Sequence, residues 1–341
     1  MAGEDTDQGA TRGRGNGRRA PRGAAGSRFP LELKHAAATL YYIEERTQAE
    51  IAERLGASVA TVSRLLSEAR RDGMVRVQVL PPGEGDGDGD DLATRLAETL
   101  ELDAVHLSSL PAGRSVGAAL APALSRALLA AELTPGEALL VSSGRTVYEA
   151  AQAELPSLPG IAVAPMVGGL DEPEVWFATN EITRQVAAKV GGTPRFLYAP
   201  ALPGPGLHES VLHDPSTRRV VGLWDTARVA IMGVGAPPLT RTSLHRFIAD
   251  DTDPVGAAVG DVCARFYDAA GQPVPFPGSE RLIATSLENL QRMQTCIAIA
   301  AGTIKVPSLL AGARSGYFSR LVTDRVTARA LLDAAASARR R

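Results

Sequence analysis

The sequence predicts two fold classes in one chain: a small helical domain closed by a short strand, then a larger α/β domain on a mostly parallel sheet. Three observations lead there. Residues 47–73, TQAEIAERLGASVATVSRLLSEARRDG, hold two helical patterns separated by Gly56. From residue 138 onward, short apolar runs without polar alternation recur, with helical patterns between them, as strands buried on both faces do. Between the two regions runs PPGEGDGDGDD, residues 81–91, too polar and glycine-rich for either core.

Residues 1–30 show no hydrophobic period. Arg12, Arg14, Arg18, Arg19, Arg22 and Arg28 stand against Glu4, Asp5 and Asp7, so a disordered basic tail is expected. Its charge suits nonspecific phosphate contacts as well as a solvated extension.

Residues 31–80 read as a winged helix-turn-helix. A supporting helix over 33–46 offers Leu33, Ala37, Leu40, Tyr41 and Ile43 to a core. Ile51, Ala52 and Leu55 line the next helix, which Gly56 stops. Ser58 is placed to cap a third helix, whose stripe is Val59, Val62, Leu65, Leu66 and Ala69. After a turn at Asp72 and Gly73, residues 74–79 alternate as a strand does and would form the wing. Small hydroxyls and an arginine near the start of the third helix suit insertion into the DNA major groove. The expected DNA contacts are Thr47, Gln48, Ser58, Ala60, Thr61, Ser63 and Arg64, with Arg76 on the wing against the phosphate backbone. The net charge is −2, so affinity for operator DNA must come from this local patch.

The run 81–91 invites a calcium reading, because Asp86, Asp88 and Asp90 alternate. A calcium loop counted from Asp86 needs Gly at its sixth position and Glu at its twelfth; Asp91 and Ala97 stand there. The metal reading fails, and a flexible acidic linker is expected.

The second domain is expected over 92–335. Helical patterns cover 92–100, 116–129, 181–190 and 308–313, with one more beginning at Val147. Strands are expected at 104–107, 138–142, 161–164, 196–198, 229–234, 296–300 and 320–323. In open α/β sheets ligands bind beyond the carboxyl ends of the strands. The loop 142–146 lies there, just before a helix: Ser143 and Gly144 let backbone N–H groups turn inward, and Arg145 and Thr146 add donors, a chemistry that fits phosphate. Gly168 and Gly169 follow another strand. Lys305 is the basic residue beyond the run 296–300, while Asn180 and Asp261 either meet sugar hydroxyls or cap their own turns.

The five histidines show no metal pairing, and Cys263 and Cys296 lack ligand spacing, so two free thiols are expected. No nucleophile–base set, metal or cofactor motif is present, and recognition rather than catalysis is expected of the pocket. No apolar run reaches about 18 residues, so no membrane span is expected and the protein reads as cytoplasmic.

In order along the chain, TQAEIAERLGASVATVSRLLSEARRDGMVRVQV, SSGRTVYEA, NEITRQVAAKVGG, AVGDVCARFYDAAGQPV, RLIATSLENLQRM and LVTDRVTARALL resemble the SorC family of bacterial sugar-responsive transcriptional regulators. The resemblance covers nearly everything from Leu33 to Leu332. It implies an N-terminal helix-turn-helix joined to an effector domain like the sugar-phosphate isomerases, which binds a phosphorylated sugar without turning it over, in a homotetramer or homodimer. By position, Ser143, Gly144, Arg145 and Thr146 would hold the phosphate, and Gly168, Gly169, Asn180, Asp261 and Lys305 would line the sugar end. The family's last glycine pair before the lysine reads Ala301-Gly302 here, followed by Thr303-Ile304 without an acidic residue. The alternative is an active sugar-phosphate isomerase with an appended DNA-binding domain, with Asp261 as its base.

Overall fold

The computed structural model describes residues 29–44, 46–72, 74–75, 87–111, 113–238 and 255–339. The chain divides into two compact units between Leu80 and Pro81.

The first unit contains α1 (Leu31–Tyr42), α2 (Gln48–Arg54) and α3 (Val59–Arg71). Thr47 starts α2 through a reciprocal capping box: its hydroxyl accepts the Glu50 N–H, and the Glu50 carboxylate accepts the Thr47 N–H at 2.8 Å. Ser58 caps α3 by accepting the Thr61 N–H at 3.1 Å. Ala37, Leu40, Ile51, Ala52, Val62, Leu65 and Leu66 make the core. Burying one such Leu or Ile contributes roughly 1.5–3 kcal/mol. Two expected core residues are exposed instead. Ile43 is 77% exposed because α1 ends one residue earlier, and Val59, in the first turn of α3 at the edge of the stripe, is 49% exposed. An ion pair that sequence spacing does not reveal joins α1 to the end of α3: the ammonium of Lys34, itself buried, meets the carboxylate of Asp72. The expected wing with Arg76, most of the basic tail and residues 81–86 of the linker lie outside the described residues.

The second unit opens with α4 (Gly87–Leu100), which corrects the linker boundary: residues 87–91 are helical. Leu92, Leu96 and Leu100 bury one face, and Asp90 and Asp91 sit favourably near the positive end of the helix. There follow β1 (Ala104–Ser108), α5 (Val116–Leu129), β2 (Ala138–Val141), α6 (Arg145–Gln152), β3 (Ala162–Pro165), α7 (Thr179–Val190) and β4 (Thr193–Pro194). Next come α8 (Pro205–His213), α9 (Pro215–Val221), α10 (Leu223–Thr226) and β5 (Val229–Gly233). The chain closes with β6 (Gly260–Val262), β7 (Arg265–Tyr267), α11 (Leu287–Arg292), β8 (Thr295–Ile299), α12 (Val306–Arg314), β9 (Arg320–Asp324) and α13 (Arg325–Arg339).

Seven strands form one parallel sheet in the order β1-β9-β8-β5-β2-β3-β4, while β6 and β7 pair antiparallel as a separate hairpin. Alternate side chains feed two cores. Leu139, Val141, Val163, Val229, Ile231, Ile297, Ile299 and Val322 pack with residues of α5, α6 and α7, whereas Leu140, Ala164, Ala230, Met232, Cys296, Ala298 and Leu321 pack with residues of α4, α12 and α13. Burial on both faces explains why these strands show no polar alternation.

Residues 196–198 are not a strand. The chain leaves β3 after Arg195, whose N–H still donates to the Val163 carbonyl at 2.7 Å, and the Leu197 N–H goes to the Asn180 side chain at 3.0 Å instead of a neighbouring strand. The helix expected from Val147 starts two residues earlier, at Arg145.

Candidate functional site

On the first unit, the buried stripe of α3 leaves Ala60, Ser63, Arg64, Ser67, Arg70 and Arg71 exposed on the opposite side. Arg71 is tied to Glu68 and Asp72. Among the described residues no ion pair engages Arg64 or Arg70, which leaves their guanidinium groups available to phosphate or base edges. The other expected contacts divide by geometry. Ala60 and Ser63 lie on the exposed face of α3, while Gln48 at the start of α2 is half-buried. The Thr47 and Ser58 hydroxyls are engaged in capping, and the Thr61 hydroxyl pairs with that of Ser58 at 2.9 Å.

On the second unit, the crossover from β2 runs through α6 to β3 on one side, while β5 lies on the other side of β2. This reversal of strand order is where open α/β sheets bind ligands. The loop after β2 is built there. Ser142, 2% exposed, donates its N–H to the Ile231 carbonyl at 2.9 Å, and its hydroxyl accepts the Gly233 N–H at 3.0 Å. The ends of β2 and β5 are thereby locked side by side. Gly144 takes φ +123° and ψ 151°, and a Cβ there would meet nothing within 4 Å, so glycine is required by backbone angle rather than by space. Its N–H donates to the Trp176 carbonyl at 2.8 Å. Arg145 and Thr146 then begin α6, whose first N–H groups and positive dipole end face the carboxyl side of the sheet. The Arg145 side chain is exposed, with its guanidinium carbon 4.2 Å from the centroid of the Trp176 ring.

The remaining expected residues stand in different places and have different roles. Gly168 is buried, and a Cβ would lie 2.7 Å from the Ala199 carbonyl oxygen and 2.8 Å from the Ala201 nitrogen; it is a close-approach glycine. Gly169 is exposed and bonds through its backbone to Ala199 and Ala201. Asn180 caps no turn: its amide donates to the Leu197 carbonyl at 3.1 Å and accepts the Leu197 N–H, a reciprocal clamp. Asp261, half-buried in β6, is brought to the end of β5 because its carbonyl accepts the Gly235 N–H at 2.9 Å. Lys305 closes a 3-10 turn, Thr303–Lys305, entered through Gly302 at φ +109°, a left-handed angle that explains why glycine stands there. The Gly302 N–H donates to the Thr327 hydroxyl at 2.7 Å. Sequence reasoning missed Trp176 and the braces at Ser142 and Asn180, since every partner is distant in the chain.

Both cysteines are buried and free. Burial pushes the Cys296 thiol up to about 12 and raises Cys263 further, with the Asp261 charge adding to it, so neither is a thiolate at neutral pH. Among the described residues no cluster of His, Cys, Asp and Glu could hold a metal ion, and no helix is long and apolar enough to cross a membrane.

Comparison with known proteins matches residues 88–333 to the family described as "Putative sugar-binding domain" and residues 36–72 to sigma-70, region 4. The chain is 29% identical over 310 residues to the deoxyribonucleoside regulator of Bacillus subtilis, covering 89% of this chain and 97% of that one. It is 29% identical over 313 residues to the sorbitol operon regulator of Klebsiella pneumoniae, covering 86% and 96%. The crystal structure of full-length SorC from Klebsiella pneumoniae superposes with a TM-score of 0.72 at 27% identity, covering 90% of this chain and all of that one. These relatives are transcriptional regulators, not isomerases, and the enzyme alternative is not carried forward. With a helix-turn-helix region, a sugar-binding domain over most of its length and SorC as a full-length structural neighbour, the chain belongs to the SorC family of sugar-binding transcriptional regulators.

Proposed function

We propose that this regulator binds operator DNA through the exposed face of α3 and is controlled by a phosphorylated sugar held at residues 143–146. One observation carries the effector reading: at the strand-order reversal, a glycine at φ +123° turns the chain into the N-terminus of α6, beside an exposed arginine. That arrangement offers backbone donors, a positive helix end and a guanidinium to an anion. Relatives named for sorbitol and for deoxyribonucleosides support a polyhydroxylated ligand. Gly169, Asp261 and Lys305 are the candidates for its sugar end, while Gly168 and Asn180 serve by holding backbone in place.

The protein acts in the cytoplasm, where the DNA is, as a symmetric homodimer or homotetramer, since reading two half-sites needs two recognition helices at fixed spacing. The sugar shifts operator affinity only through differential binding to DNA-competent and incompetent states, a coupling of typically about 1–3 kcal/mol. The test is a thermal-shift screen against pentose and hexose monophosphates. At about 100 times its dissociation constant, an effector adds roughly 2.7 kcal/mol to the stability of the second unit. Arg145→Ala removes that shift if the phosphate sits at residues 143–146, and an undiminished shift refutes the placement.

A further inference from the structure

The inference rests on the phosphate-loop reading above and concerns what readies the loop. Arg145 is exposed, and an exposed arginine ordinarily spreads over many rotamers, which an anion must freeze on binding. Here Trp176, 31 positions downstream in the 3-10 turn Val175–Phe177, holds two consecutive parts of the loop. Its carbonyl takes the Gly144 N–H at 2.8 Å, which fixes the left-handed turn, and its ring lies under the Arg145 guanidinium, 4.2 Å from centroid to guanidinium carbon.

The two contacts leave different groups open. The Gly144 N–H is consumed, so the anion must be met by the α6 N-terminus and by Arg145. A guanidinium held over a ring face keeps the N–H donors at its edge. Among the described residues no ion pair competes for Arg145. Trp176 is itself half-buried, and its turn packs on α6.

We propose that Trp176 is a positioning residue for the effector: its ring is the platform that orders Arg145, so a phosphate meets a guanidinium already in place. The main-chain bond to Gly144 does not depend on the side chain at 176, so substitutions there isolate the ring.

The experiment is calorimetric titration of the full-length protein with the sugar phosphate that gives the largest shift in the screen, and with inorganic phosphate as a second probe. Trp176→Tyr, Trp176→Phe and Trp176→Leu should bind progressively more weakly, the last by about three- to thirty-fold. Melting of the ligand-free protein reports whether each variant is folded. The decisive arm is the double variant: in an Arg145→Ala background, Trp176→Leu should have no further effect, which a merely structural role would not produce. Independent, additive losses, or wild-type affinity in Trp176→Leu, overturn the proposal. If Arg145→Ala loses binding and the Trp176 variants do not, the platform alone is wrong. If Arg145→Ala binds normally, or if no sugar phosphate binds, the site reading falls and the platform with it.

Discussion

In the first unit the groups we propose for DNA are side chains projecting from one face of α3; in the second, most groups at the candidate site are backbone atoms held in place by distant residues. The α3 face follows from its own thirteen residues, because burial of Val62, Leu65, Leu66 and Ala69 dictates which others are exposed. The loop after β2 is assembled by Gly233, Ile231 and Trp176, contributed by two other segments of the chain. A helix face therefore tolerates change as long as its core holds, whereas the loop after β2 depends on single backbone angles and long-range bonds.

The largest expected effect breaks this comparison on the DNA side. Replacing Asp72 by Ala removes the carboxylate paired with the buried Lys34 ammonium and costs the first unit on the order of 3 kcal/mol. The expected outcome in calorimetric melting is early loss of the first unit and of DNA binding, with sugar binding by the second unit retained.

A smaller, sharper contrast separates two glycines. Gly144→Ala has room for its methyl but must hold φ +123°, at a cost of about 1–3 kcal/mol, and should weaken effector binding more than it lowers the melting temperature. Gly168→Ala pushes a methyl into the backbone of residues 199–201 and should lower stability first. Equal behaviour of the two variants would erase the distinction between an angular and a packing role.

A last prediction is a pH dependence that His106 gives the second unit. His106, on β1 with its Nε2 buried and without a hydrogen-bond partner, is held down to about 4 by burial first, then by Arg126 and Arg320. Its ordinary value, 6.5, lies above, so the unfolded chain takes the proton first. The second unit should lose stability as pH falls from about 6.5 towards 4. Melting at pH 7.5 and pH 5 should show the drop, and His106→Gln should flatten it.

The parts legible in the sequence were those governed by local periodicity. The apolar runs located β2, β5, β8 and β9, and capping chemistry at Ser58 located α3. Extrapolation failed at helix ends, where Ile43 and Val59 continue a pattern that burial does not. It failed again at the β6–β7 hairpin. Its turn residues, Cys263 at φ +51° and Ala264 at φ +62°, adopt left-handed angles without the Asn or Gly that would signal them. The second unit instead anchors this turn through the Arg265 guanidinium, which donates to the Thr285 and Ala284 carbonyls at 2.8 Å. At the candidate site, residue types singled out the loop 143–146 that we propose for the anion, but Asn180 pairs with Leu197 and Arg145 with Trp176, and neither spacing carries a periodic signal.

The most direct test of the account joins both units in one titration. Operator DNA selected with the purified protein would be bound at fixed salt while the stabilising sugar phosphate is added, for the wild type, Arg145→Ala and Arg64→Ala. The wild-type affinity should change by about 5- to 150-fold. Arg145→Ala should show no response, and Arg64→Ala should lose more specific binding than nonspecific binding. An operator affinity indifferent to every sugar phosphate, or a full response in Arg145→Ala, would contradict the account.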